Sequence, residues 1–202
     1  MEGQSRKRSR SIPILSLIAA VAVSLALVIP LPASAGHSPP RCFGKVATVV
    51  GEKGASAVSG TNGPDVIVAG GGADKVEAGR GNDRICSGDG RDFVIADLGN
   101  DMIKAGRKAD YVRADTANPS PEDGNDVIKG GPGADTLQGY DGDDTVRGNK
   151  GKDVVDGMQG SDGLFGGKKA DQLRGADGND RCDGGPGHDS DDGLCERTRS
   201  IP

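Results

Sequence analysis

An aspartate recurs every nine residues through most of this 202-residue chain. It stands at Asp65, Asp74, Asp83, Asp92, Asp101 and Asp110, and, after a seven-residue break, at Asp126, Asp135, Asp144, Asp153, Asp162, Asp171, Asp180 and Asp189. Counted as position six of a unit, this acid follows a glycine at position four in twelve of the fourteen units, and position eight is Ile, Val or Leu in twelve. The combination suits cation binding. Carboxylates and turn carbonyls build all-oxygen sets of about six to eight ligands, which Ca²⁺ accepts and Mg²⁺, bound to a tighter octahedron, accepts less readily. Glycine lets the backbone enter left-handed turns and brings carbonyls close to an ion. Candidate metal residues are therefore the column aspartates from Asp65 to Asp180, the position-four glycines Gly81, Gly99, Gly124, Gly133, Gly142 and Gly151, and the position-three acids Asp89, Asp123, Asp141 and Asp177.

Short strands must position them. Side chains alternate faces along a strand, so positions six and eight point the same way. Position eight carries the only regular apolar residue and faces inward, and it takes the aspartate inward with it. Stacked strands lie about 4.8 Å apart. Adjacent carboxylates in such a stack would repel by roughly 3 kcal/mol at an effective dielectric near 20, so the columns need counter-ions. Alternatively, each Asp could cap its own turn through a local hydrogen bond.

"GGPGADTLQ" (130–138) and "AGRGNDRIC" (78–86) carry a resemblance to the hemolysin-type calcium-binding repeats, also called repeats-in-toxin nonapeptides. The resemblance covers residues 60–192. It implies an all-β fold, a parallel β-roll of about seven turns with two nonapeptides per turn, calcium-binding turns of six residues and strands of three. With so thin an apolar core, the roll is expected to fold as it binds several Ca²⁺ ions.

Alternate units fall on opposite edges of such a roll. On the odd edge, position five carries Asn82, Asn100, Asn125, Asp143 and Asn179; on the even edge it carries mainly Ala, Arg and Lys. Asn and Asp tolerate left-handed turns and add oxygens, so the odd edge is expected to bind calcium more tightly. Lys108 and Lys169 replace the position-four glycine on the even edge, either as counter-charges to an Asp or as solvated side chains on degenerate turns. Residues 114–120, "ADTANPS", read as a loop bulging from one turn.

The ends differ in kind. Four basic residues in "SRKRSR", an apolar run over Ile12–Leu31, and the small pair Ala33 and Ala35 form the pattern of a secretory signal peptide over residues 1–35, cleaved before Gly36. Residues 36–59 are expected to cap the roll with one or two strands, and 193–202 to close the other end. An even cysteine count in an exported chain implies two disulfides, with three possible pairings. Cys86, facing outward at position nine, would tie the first cap to the roll's flank as Cys42–Cys86. "RCDGGPGHDSDDGLCE" resembles the closing segment of secreted repeat proteins, which implies Cys182–Cys195.

A net charge of −5 argues against nucleic acid as a partner and, once the leader is removed, against a membrane. The cysteine spacing does not suit zinc. The only histidines, His37 and His188, belong to no catalytic constellation, so no enzyme activity is expected. The chain reads as a secreted, extracellular calcium-binding module with a structural or surface role, its protein or polymer partner unidentified. The alternative is an accessory module for a separate extracellular enzyme or toxin.

Overall fold

The computed structural model describes residues 38–116, 120 and 123–199. The expected signal segment 1–35 lies outside the described residues, as do parts of the expected 114–120 loop and of the C-terminal tail. Two parallel sheets run along the chain's described length. One has eight strands, from Ala57–Ser59 to Ser190–Asp191, and the other nine, from Val49–Val50 to Arg197–Arg199. Strands alternate between the sheets, so the chain winds as a parallel β-roll of about eight turns. The extra turn beyond the expected seven comes from the ends. Val49–Val50 and Ala57–Ser59 pair as parallel rungs below the first repeats, and Arg197–Arg199 extends the other end.

Register follows the repeat. Ile67 pairs with Ile85, Ile85 with Ile103, and Ile103 with Ile128, where the step lengthens to absorb the insertion without slipping the faces. A one-residue slip would have turned every aliphatic residue outward. Position eight is accordingly the core: Ile67, Val76, Ile85, Val94, Ile103, Val112, Ile128, Leu137, Val146, Val155, Leu164, Leu173 and Cys182 are all buried.

The strands depart from the expected three residues. Val66–Gly71, Arg84–Asp89, Thr145–Lys150 and others span six, running through positions seven to nine and into the first three residues of the next turn. Because successive turns are nearly identical, they stack closely enough for the ladder to continue; Gly131 still pairs with Asn149 and Gly70 with Gly88.

Position one also faces inward, which the repeat pattern alone did not single out. Ala69, Ala78, Ala96, Ala105 and Ala114 add buried methyl groups to the core before and at the insertion, where later units carry glycine. Ala114, placed at the start of the expected loop, thus belongs to the roll, and the loop follows it. Both disulfides form as expected. Cys42–Cys86 fastens the hairpin Arg41–Cys42/Lys45–Val46 to the roll, and Cys182–Cys195 links the last core position to the tail.

Candidate metal sites

The aspartates form two buried columns, one on each edge. On the odd edge the backbone N–H of Asp65 donates to Oδ1 of Asp83, that of Asp83 to Asp101, and so on through Asp126, Asp144, Asp162 and Asp180, at 2.7–2.9 Å. The even edge repeats this from Asp74 through Asp92, Asp110, Asp135, Asp153 and Asp171 to Asp189. Through Oδ1, the carboxylates from Asp83 and Asp92 onward therefore cap the preceding turn rather than their own. Hydroxyl residues end both columns: Thr48 donates to Asp65 Oδ1 at 3.0 Å, and Ser56 to Asp74 Oδ1 through its Oγ at 2.7 Å.

The second oxygen is different. Oδ2 of thirteen column aspartates, from Asp74 to Asp189, is buried without a hydrogen-bond partner. Asp65 alone escapes, because the Thr61 N–H and hydroxyl fill that role at 2.7 and 2.9 Å. A buried charged oxygen without a partner is costly, and no lysine or arginine enters either column as an ion-pair partner among the described residues.

Glycine makes the room around these oxygens. A Cβ on the position-one glycines Gly130, Gly139, Gly148 or Gly157 would overlap Oδ2 of the same unit's Asp. At position four the turns lie directly on each other: a Cβ at Gly99, Gly124, Gly133, Gly142 or Gly151 would strike the position-four carbonyl of the preceding turn, and one at Gly81 would crowd Gly63. The inter-turn bonds use position-three carbonyls, as in Gly133 N–H to Lys150 O and Gly142 N–H to Gln159 O. The position-four space at Gly133 and Gly151 adjoins the capped Oδ1, whereas the orphaned Oδ2 shares its space with position-one carbonyls of the following turn, Gly148 O beside Gly130 and Gly157 O beside Gly139. Among the described residues no three Asp, Glu, His or Cys side chains converge tightly enough to hold a metal by themselves. Backbone carbonyls must complete any site, and the resulting all-oxygen set fits Ca²⁺.

Burial, reinforced in most cases by neighbouring carboxylates, raises these acids. Asp83 and Asp135 are held at about 6, Asp110, Asp126, Asp153 and Asp162 at about 7, Asp144 at about 8 and Asp101 at about 9. The N–H bond from the preceding turn offsets part of each rise. Without a cation, Asp144 and Asp101 keep their protons at neutral pH, and Asp110, Asp126, Asp153 and Asp162 are about half protonated there.

Position-three acids separate into two groups. Asp89 is on the surface beside Arg107, 3.8 Å away, and Asp177 is exposed. Asp141 is partly exposed, whereas Asp123 has one buried oxygen without a partner. The odd-edge position-five side chains form a ladder of their own: Asn82, Asn100, Asn125 and Asp143 each accept the N–H of the next turn's position-five residue, at 2.8–3.0 Å. Lys108 and Lys169 are exposed with φ of 75° and 88°. Burial raises the carboxyls of Asp92 and Asp153, and the two ammonium groups offset a small part of that rise. Sequence reasoning missed Asp115, which is fully buried with neither oxygen partnered. Its signal was its place beside the break in register.

Comparison with known proteins completes the site. The model of the RTX calcium-binding nonapeptide repeat family matches residues 59–94, 122–155 and 156–191, more than half of the chain. No curated protein and no solved structure matches.

Proposed function

Because the chain belongs to the RTX calcium-binding nonapeptide repeat family, we propose that it is a secreted β-roll that folds on binding several Ca²⁺ ions and serves as a structural or surface module without catalysis. The observation that carries this reading is the set of thirteen buried, partnerless Oδ2 atoms in two columns. The column aspartates from Asp74 to Asp189 supply these oxygens, and the position-one carbonyls that share their space, such as Gly148 O and Gly157 O, supply neutral ones. Asp123, with one buried, partnerless oxygen, stands at the insertion rather than in a column, and Asp89, Asp141 and Asp177 stand nearer the surface and contribute charge. Calcium supplies the positive charge the columns lack, and its binding free energy becomes folding free energy.

Export is supported by the leader pattern of residues 1–35 and by two disulfides, which persist in oxidising compartments. A secreted form would begin at Gly36, which mass spectrometry of the mature protein reads directly.

The deciding experiment is far-UV circular dichroism of the purified chain, titrated with Ca²⁺ and separately with Mg²⁺. A coil-to-β transition with Ca²⁺, absent or much weaker with Mg²⁺, is expected. A spectrum already β-rich in chelator and unchanged by Ca²⁺ would overturn metal-driven folding.

A further inference from the structure

Among the described residues of the insertion turn, 114–116, 120 and 123–126, the buried Asp115 departs from the nonapeptide pattern. Ala114 keeps register: its carbonyl accepts the Asp97 N–H at 2.8 Å, and its own N–H donates to Gln138 O at 2.9 Å. The next residue occupies position two. In the other odd-edge turns, position two is partly or fully exposed, and it takes a left-handed φ at Gly79, Asp97, Tyr140, Met158 and Ala176. Asp115 is not in that region of φ, and its side chain is 0% exposed with both carboxylate oxygens partnerless.

Among the described residues, the charges that act on it are acidic. They are Asp126 of the same turn, Asp123, and Asp144 and Asp101 of the adjacent turns; no basic side chain is among them. Burial first and these four neighbours second lift its carboxyl to about 9. Asp123 adds another buried, partnerless oxygen, while its second oxygen accepts the Ser120 N–H across the loop's end. Protonation would neutralise Asp115 but leave its hydroxyl without an acceptor, at a cost of about 1–3 kcal/mol. A divalent cation would satisfy both of its oxygens and the free oxygen of Asp123 together.

We infer that the insertion turn builds a calcium site of its own, additional to the repeat columns, in which Asp115 and Asp123 are the side-chain ligands and backbone carbonyls complete the shell. This inference rests on the calcium-binding reading above. The break in the repeat is then a place where the roll gains an ion.

Equilibrium dialysis with radioactive calcium, on the whole chain, counts the ions. Asp115→Asn should bind one ion fewer than wild type, whereas Asp97→Asn, at the equivalent position of the preceding turn, should bind the full number. Asp123→Asn, at a half-exposed side chain, should weaken or lose the same single ion, and it decides the matter if the Asp115 variant does not fold. A wild-type count and affinities in both acid variants would overturn the inference and leave calcium-dependent folding standing. Wild-type protein that binds no calcium would overturn both.

Discussion

The backbone N–H of Asp126 donates to Oδ1 of Asp144 at 2.8 Å, while Oδ2 of Asp144 is buried with no partner. One carboxylate thus does two jobs with two oxygens. Turn capping and metal binding, which compete as explanations of the repeat, are complementary here.

Substitutions at Asp144 should separate the two roles. Asp144→Asn keeps an acceptor for the Asp126 N–H and removes the charge, so in chelator it should be at least as ordered as wild type. With calcium it should need a higher concentration to fold. Asp144→Ala loses the bond as well, at about 1–3 kcal/mol, and should be less ordered in both conditions. Circular dichroism in chelator and in excess Ca²⁺ checks this; equal behaviour of the two variants would argue against divided roles.

Gly139→Ala places a methyl group on Asp144 Oδ2 and 2.9 Å from Gly157 O. It should weaken calcium binding at that turn, seen as a shifted titration midpoint. Ala78→Gly, at the equivalent position of an earlier odd-edge unit, removes a fully buried methyl. It should cost roughly 1 kcal/mol of stability without weakening calcium binding.

Acid should partly substitute for calcium. Eight column carboxyls, Asp83, Asp101, Asp110, Asp126, Asp135, Asp144, Asp153 and Asp162, have folded values of about 6 to 9 against 3.8 for a free Asp. Between those limits the metal-free roll holds more protons than the coil, so its stability falls as pH rises. The contribution is complete below about pH 4 and lost through the range 6 to 9. Circular dichroism in chelator should show more β-structure at pH 5 than at pH 9, and calcium should restore it at pH 9. Equal spectra in chelator at both values would count against a proton-neutralised column.

Removing the Cys42–Cys86 bridge by paired serine substitution opens a link spanning 44 residues. A loss of about 2–4 kcal/mol is expected, concentrated in the N-terminal rungs. Hydrogen exchange should show the protection of Val49–Val50 and Ala57–Ser59 falling before that of the strands after the insertion.

Much of this molecule was legible as a pattern. The nine-residue spacing of Asp and aliphatic residues determined the sheet faces, the alternation of edges and the burial of Ile67 through Leu173, because a period-two strand leaves no other inward face. The same spacing placed every column aspartate, while the choice of Cys182–Cys195 among three possible pairings came from the resemblance of the closing segment to secreted repeat proteins. Tertiary structure decided what spacing cannot express: which neighbour each oxygen meets. Only stacking reveals that Asp83 Oδ1 is taken by Asp65 while its Oδ2 is left over, that odd-edge Asn oxygens are spent on the next turn's N–H, and that Asp89 and Asp177 stand outside the columns. Asp115 belongs to this second class. It stands at position two, which is at least partly exposed in the other described odd-edge turns, and the repeat pattern gives no sign that it is buried here.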